Sequence, residues 1–516
     1  MTNSSKKHYL ITPLPLWGHL RPGISLIPQL LSRNPDSVIT ILIPIAHSIP
    51  CKKELGRYGL FEDGKRIKII HYGDEDEKSK EYPVTGLEEM LKFMMMLHGK
   101  VVEVYPRLLK CEPVYDSLLK KEIYSHNVPP TVAFLDVSIA CTRCVKILHD
   151  INVEMGFGAK LVILFALASE HTSWMFLKTT NPDVMTYRER IERILAAPPE
   201  ETDKVYNEML GENEDVIELP GIPPFYMYEA QPTQRDNFLP TINAIYESLP
   251  YLEAMVHAWP GFLGKIYQKE MKKLGHKVLF TGPLLPLQVD DRGMKLDSDL
   301  QLFLDRALDE KGKNSVIYIS FGTLMFPPKP HQLSVLLDVL IEHEIRFILV
   351  QGVAPMELQT LAREKITKNN YTDKARLVQW VYQFGVLSHE ATGWFVTHGG
   401  SNSTMEGLRT RTPMLFWPGE TDQAWISSTL SQTYKVGYEF LQIRNGPNIG
   451  RKTARSPNTV VEGTGEAMRK EFTDIFENLG NERDKEIRQN VEKVGREVDE
   501  GMDEVTRESW REIMEM

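Results

Sequence analysis

The feature that most constrains this chain is an alternation of apolar runs with helical patterns that starts twice. In the first half HYLITPL, VITILIP, IKIIHY, TVAFLD and KLVILFA are strand-like runs of β-branched and apolar residues. Between them LRPGISLIPQLLSR, GLEEMLKFMMMLHGKVVEVYPRLL and SIACTRCVKILHDI have helical period. Such alternation argues for a parallel, doubly wound sheet. The pattern restarts with VIYISFG, RFILVQG, ARLVQWV, GWFVTHGG and PMLFWPG, with QLSVLLDVLIEH and other helices between. The stretch Gly282–Asp299 is rich in proline, glycine and acid and lacks periodicity, so it reads as a linker. The expected domains are an α/β domain over 1–286, a linker over 287–312, a second α/β domain over 313–490 and a charged helix over 491–516. Two such domains facing each other across a hinge are the simplest arrangement, and the cleft between them is a default ligand site.

Composition and charge exclude several classes. A 516-residue chain with 42% hydrophobic and 25% charged residues is neither disordered nor collagen-like. Its net charge of −10 and lack of a long basic run argue against a nucleic-acid backbone as partner. Four cysteines, Cys51, Cys111, Cys141 and Cys144, cannot be a disulfide framework. Cys141 and Cys144 form a CxxC, open to three readings: a redox pair, half a zinc site, or reduced thiols on a helix. No second ligand pair stands near them. The N-terminal MTNSSKKHYLITPLP lacks the apolar core of a signal peptide. The longest apolar run, LVILFALA, is far short of the roughly 20 residues that span a bilayer. The expectation is a soluble, cytoplasmic protein.

The stretch Trp380–Gln423 carries the most chemistry. FVTHGGSNSTMEGL is a strand, a glycine turn and a helix start. A helix N-terminus offers unbonded N–H groups and the positive end of the helix dipole. Gly399 and Gly400 let backbone approach a ligand closely. Ser401, Asn402 and Ser403 add short donors, and His398 adds another, which together describe a phosphate cradle. Glu406 can reach a ribose diol, or it can close a capping box with Ser403. Trp380 can stack on a base or pack in the core. Asp422 and Gln423 follow WPG at a strand end, where doubly wound sheets place ligand residues, although such a dipeptide is also a common turn.

Taken in order, these residues resemble the donor-binding signature of family 1 glycosyltransferases, the UDP-dependent enzymes that glycosylate small molecules. The stretch is 44 residues long, the span of the plant form of that box. Trp380, Gln383, His389, His398, Gly400, Asn402, Ser403, Glu406, Pro413, Pro418, Asp422 and Gln423 fall in register. PLPLWGHLRPGISL, VIYISFGT and FTGPLLP are similar to other segments of the family. The resemblance implies a GT-B fold: α/β, two facing Rossmann-like doubly wound parallel-sheet domains with a cleft between them. The last helix would pack back on the first domain. Trp380 would stack on uracil, with the Val381 backbone on the base edge and Gln383 near base and ribose. Glu406 would bind the ribose hydroxyls. His398, Asn402, Ser403 and Thr323 would hold the diphosphate, beside Gly400 and Ser401. Asp422 and Gln423 would bind the transferred sugar. Two positions depart from the plant box. Tyr382 replaces a proline, which loosens the turn, and Ser401 replaces a tryptophan, which leaves a smaller, more polar wall.

The resemblance also implies a catalytic pair. His19, in WGHLRP, would take the acceptor hydroxyl proton, a task suited to an imidazole. Asp136, ending VAFLD, would orient it, as an acid orients the histidine of a serine hydrolase. Without the resemblance the two read as a solvated histidine and a helix N-cap. Trp17, Phe93, Met94 and Trp174 are the expected acceptor wall, with the Met-rich run around Met94 open to a plain helix-core reading. The implied reaction is inverting transfer of a hexose, glucose or alternatively xylose, from UDP to a small lipophilic acceptor such as a terpenoid or phenol. No metal and no other cofactor is implied. Asp74-Glu75-Asp76 and Asp297-Ser298-Asp299 resemble the DxD of metal-using transferases but read as solvated acids. The alternatives are a UDP-sugar epimerase and a non-catalytic UDP-sugar-binding protein. A monomer is expected.

Overall fold

The computed structural model describes residues 6–60, 64–73, 87–230, 239–285, 296–323, 326, 328–499 and 503–516. The chain packs as two units, one made of Met1–Ser169, Phe238–Gln288 and Gly501–Met516, the other of Glu170–Asn237 and Val289–Glu500.

The first unit is built on seven strands: β1 (His8–Thr12), β2 (Val38–Pro44), β3 (Ile67–Tyr72), β4 (Val132–Asp136), β5 (Lys160–Phe165), β6 (Ala254–His257) and β7 (Val278–Phe280). Every pairing is parallel, and the spatial order is β7-β6-β5-β4-β1-β2-β3. The strands are apolar without alternation because helices cover both faces. Helices α1 (Trp17–Arg33), α2 (Leu87–Leu109), α3 (Val137–Cys141) and α4 (Cys144–Met155) belong to this unit. The single helix expected over Ser138–Ile151 is two, because Arg143 takes a left-handed φ of 60° between α3 and α4.

The second unit holds six strands: β8 (Val316–Ser320), β9 (Arg346–Val350), β10 (Ala375–Val378), β11 (Thr392–Thr397), β12 (Met414–Phe416) and β13 (Gly437–Glu439). They are again all parallel, in the order β10-β9-β8-β11-β12-β13. In both sheets the chain begins in the middle, runs to one edge, returns and runs to the other. That is the nucleotide-binding topology, with a switch between β1 and β4 in one unit and between β8 and β11 in the other. The helices used below are α5 (Ser169–Phe176), α6 (Ser298–Lys311), α7 (Gln383–Leu387), α8 (Ser401–Arg409), α9 (Gln423–Ser428) and α10 (Glu482–Asp499).

Three boundaries differ from the sequence expectation. The segment 170–237 packs with the second unit, not with the 1–286 domain expected for it. Residues 298–311, assigned to the linker, are helix α6, which buries Leu300, Phe303, Leu304 and Ala307. Residues 286–295 lie outside the described residues. The charged C-terminus is also divided: α10 belongs to the second unit, and α11 (Glu504–Glu515) to the first. There Trp510 and Ile513 enter the core with Ile27, Leu31 and Leu284, and the Trp510 indole donates to the Thr281 carbonyl at 3.0 Å. Burying Ile513 alone is worth about 1.5–3 kcal/mol. No described helix is long and apolar enough to cross a membrane.

Several histidines are packed where an imidazolium is poorly tolerated. Burial pulls His8 down to about 3, and His171 and His257 to about 4. Their unfolded values are about 6.5, so the unfolded chain takes up protons first as pH falls. The stability they lend is complete above pH 6.5 and is lost progressively toward pH 4. Urea midpoints measured from pH 8 to pH 4.5 should be level above pH 7 and fall steadily below 6.5; a level curve throughout would contradict this packing.

Candidate active site

At the first switch, β1 and β4 run side by side and their C-terminal ends lead into different helices. The Pro13–Leu16 loop carries the chain from β1 into α1, so Trp17 and His19 lie in the first helical turn. Asp136 is the last residue of β4 and the N-cap of α3. One carboxylate oxygen, Oδ1, accepts from the Ser138 N–H at 2.9 Å. The other, Oδ2, lies 2.9 Å from His19 Nδ1. The N-cap reading and the histidine-partner reading therefore both hold, one for each oxygen. Burial pushes the Asp136 carboxyl up, but the charge and hydrogen bond of His19 and the donors of Ser138 outweigh it and hold it below the usual range. A charged acceptor at Nδ1 fixes the proton there and leaves Nε2 as the basic nitrogen.

A second pair repeats this distance. His71 Nδ1 and Asp116 Oδ2 are 2.9 Å apart, and Asp116 also accepts from the N–H groups of His71 and Leu119. Accessibility separates the two pairs: the His19 side chain keeps 21% of its surface and that of His71 only 7%. His71 ties β3 to the Val114–Ile123 hairpin, whereas His19 can meet a substrate. Nothing in the sequence marked the His71–Asp116 pair, because its members are 45 residues apart and neither sits in a motif.

Of the expected acceptor residues, Trp17 stays half-buried two positions before His19, whereas Phe93 and Met94 are buried in α2, with Phe93 edge-on to His47. Trp174 belongs to the other unit. It lies in α5 within the second unit, stacked on Tyr187 at 3.8 Å and 4.8 Å from the Trp425 ring. The segment carrying it packs there, so its indole faces are taken by aromatic neighbours. The CxxC is a pair of free thiols, and burial pushes both Cys141 and Cys144 up to about 12, so neither is a ready thiolate.

At the second switch, Ser320 ends β8 beside Thr397, which ends β11. Thr323 follows the first, half-buried, and His398-Gly399-Gly400 follows the second. Gly399 has φ +81°, which side chains rarely adopt. Gly400 has no such φ but is packed so closely that a Cβ there would lie 2.3 Å from His398 Nε2. Gly400 is also the N-cap of α8 and gives it no side-chain cap. Thus the cap itself puts no side chain over the first turn at Ser401, Asn402 and Ser403, which suits an anion site. Burial pulls His398 down to about 4, with a hydrogen bond to the Ser320 backbone only partly offsetting it. It is therefore neutral near pH 7, with its single N–H directed at the Ser320 backbone.

Because Gly400 is the cap, Ser403 is the third helical residue and the Ser403–Glu406 capping box does not form. Glu406 is buried and accepts from Gln383 Nε2 at 2.6 Å. Gln383 Nε2 also reaches Ser403 Oγ at 3.2 Å, and Tyr318 donates to its Oε1. This network fixes α7 against α8. Trp380 and Val381 lie half-buried in the loop before α7, not sealed in the core. Tyr382 keeps φ at −68°, the value a proline would impose, and its ring packs over Gly385. The turn is therefore held without the proline. Ser401 is buried at the head of α8. His389, also in the box, bridges Asp305 and the Ala391 N–H, a purely architectural contact.

Asp422 is buried at the N-cap of α9. Gln423 Oε1 accepts from the N–H groups of Gly419 and Glu420 at 2.8 and 3.1 Å, which turns its amide nitrogen outward as a donor. Asp297 caps α6 through Asp299 and Leu300, and Asp299 pairs with Arg376; Asp74-Glu75-Asp76 lies outside the described residues. Among the described residues no group of three or more His, Cys, Asp or Glu could hold a metal ion.

Residues 270–434 match the family described as UDP-glucoronosyl and UDP-glucosyl transferase. Over 505 residues the chain is 27% identical to UDP-glycosyltransferase eriJ of Hericium erinaceus, covering 91% of each. It is 23% identical to mogroside I-E synthase of Siraitia grosvenorii, covering 83% of this chain and 84% of that one. Its fold matches a UDP-glucosyltransferase from Polygonum tinctorium, capable of glucosylating indoxyl and solved with 3,4-dichloroaniline, at a TM-score of 0.68, 19% identity and 99% of both chains. It likewise matches UDP-glucose: anthocyanidin 3-O-glucosyltransferase in complex with UDP at 0.64, 18% identity and 99% of both. Two parallel nucleotide-binding sheets, a glycine turn at the second switch and these likenesses agree: the chain has the GT-B fold and is similar to UDP-glycosyltransferases over most of its length.

Proposed function

We propose that this enzyme is an inverting transferase that moves glucose, or alternatively xylose, from its UDP conjugate to a hydroxyl of a small lipophilic acceptor such as a terpenoid or phenol, and that it works in the cytoplasm. The observation that carries the reading is an accessible imidazole held at 2.9 Å by a buried, charged carboxylate at a sheet switch point. In this reading the acceptor O–H gives its proton to His19 Nε2 as its oxygen attacks the anomeric carbon. The bond from that carbon to the diphosphate oxygen breaks, and UDP leaves with the electron pair. Configuration inverts because one displacement occurs. Asp136 then stabilises the imidazolium, as in other His–Asp pairs.

The donor roles fall to the second unit. Trp380 and Val381 would take the uracil, and Glu406 with Gln383 the ribose. Thr323, His398, Gly400, Ser401, Asn402 and Ser403 would surround the diphosphate. Helix-end amides stabilise developing negative charge without reorganising. Asp422 accepts from and Gln423 donates to sugar hydroxyls. On the acceptor side Trp17 is the side chain best placed to meet an apolar molecule near His19.

Two measurements test this. Following UDP release from UDP-glucose with a panel of phenols and terpenoid alcohols, His19→Ala should lower acceptor-dependent kcat by about 10²–10⁴-fold while leaving UDP affinity intact. Acceptor-independent turnover would favour an epimerase, and binding without turnover for any acceptor a binding protein. If the helix-end amides and the side chains around them hold the diphosphate without a cation, full activity should survive exhaustive treatment with EDTA; a loss restored by a divalent cation would overturn that part of the reading.

A further inference from the structure

We propose that Arg455 is a positioning residue for the sugar end of the donor site, acting through the Ala424 carbonyl; the inference rests on the assignment of Asp422 and Gln423 to the sugar. Arg455 sits at the tip of a hairpin formed by Lys452–Thr453 and Ser456–Val460. Its side chain is almost wholly buried, and its fork reaches three elements of the second unit. Nη1 donates to Glu229 Oε1 at 3.0 Å, Nε lies 3.0 Å from Glu439 Oε2, and Nη2 donates to the Ala424 carbonyl at 3.3 Å. Ala424 is the second residue of α9, adjacent to Gln423.

The other two arms are anchored. Glu229 Oε2 accepts from the Tyr226 and Ala454 N–H groups, both at 2.9 Å. Glu439, which ends β13, pairs with Arg444 at 2.7 Å, and Arg444 also lies 3.5 Å from Glu229. Two guanidiniums and two carboxylates thus balance inside the unit, where an uncompensated charge would be costly. The hairpin is held from outside as well: Tyr228 donates to the Lys452 carbonyl, and Arg451 lies over the Tyr228 ring. The one arm of Arg455 that meets no charge holds the first turn of α9. The residues assigned to uracil, ribose and diphosphate lie on other loops. A lysine has one ammonium and cannot span three such partners.

The experiment compares wild type, Arg455→Lys and Gln423→Ala. The readouts are Kd for UDP, KM and kcat for UDP-glucose, and the UDP-glucose to UDP-xylose preference. UDP lacks the sugar, so Arg455→Lys should leave its Kd within about twofold while raising KM for UDP-glucose about tenfold and narrowing the donor preference. Gln423→Ala should move the same two quantities. Equal losses for UDP and UDP-glucose, or a lower Tm with unchanged constants, would make Arg455 merely structural and overturn the proposal. If Gln423→Ala alone moves them, the proposal fails and the sugar assignment stands. If Gln423→Ala moves neither, the sugar assignment itself fails. Should Arg455→Lys not fold, Glu229→Gln, which removes one anchor but keeps the volume, must give the same split between UDP and UDP-glucose.

Discussion

Parallel strands that leave the middle of a sheet in opposite directions open a crevice at their C-terminal ends, and this chain uses that constraint twice. In the first unit the crevice lies between β1 and β4, and the two residues that lead out of it are brought to 2.9 Å. In the second it lies between β8 and β11, and the glycine turn after β11 fills it. The chemistry is placed by topology before any side chain is chosen. What the side chains add is electrical: Asp136 is kept charged against burial, while His398 is kept neutral by it.

That contrast explains why two histidines at the switch points of two similar sheets suit different work. His19 has a carboxylate behind it and surface in front, so it can gain a proton and be stabilised with it. His398 has no carboxylate behind it and stays neutral, packed against Gly400, where a side chain would collide with its ring. The His71–Asp116 pair shows that the short distance alone is not enough, since it is equally short and sealed.

Much of this was legible in the sequence. Strands buried on both faces read as unbroken apolar runs, and VAFLD, VITILIP and VIYIS stand out for that reason. The donor turn was legible because its residues are consecutive. The capping-box reading of Glu406 stayed open because Ser403 and Glu406 have the right spacing, and only the backbone shows that Gly400 caps the helix. The short strands β6, β7 and β13 carry too few residues to show a pattern. Trp174 was placed in the wrong unit because nothing local reveals that the segment 170–237 packs with the later half of the chain. The Arg455, Arg444, Glu229 and Glu439 cluster was invisible for a related reason: charges in a sequence read as surface until their partners are seen, and Glu229 stands more than two hundred residues from both arginines.

The central claim is that His19 and Asp136 act as one unit. A double-mutant cycle on kcat tests it most directly, using His19→Ala, Asp136→Ala and the double variant with the same donor and acceptor. If the carboxylate works only through the imidazole, removing it from the His19→Ala background costs almost nothing, and the two single effects are far from additive. Losses that simply multiply would mean that the two side chains serve separate purposes, and the catalytic pair would have to be abandoned.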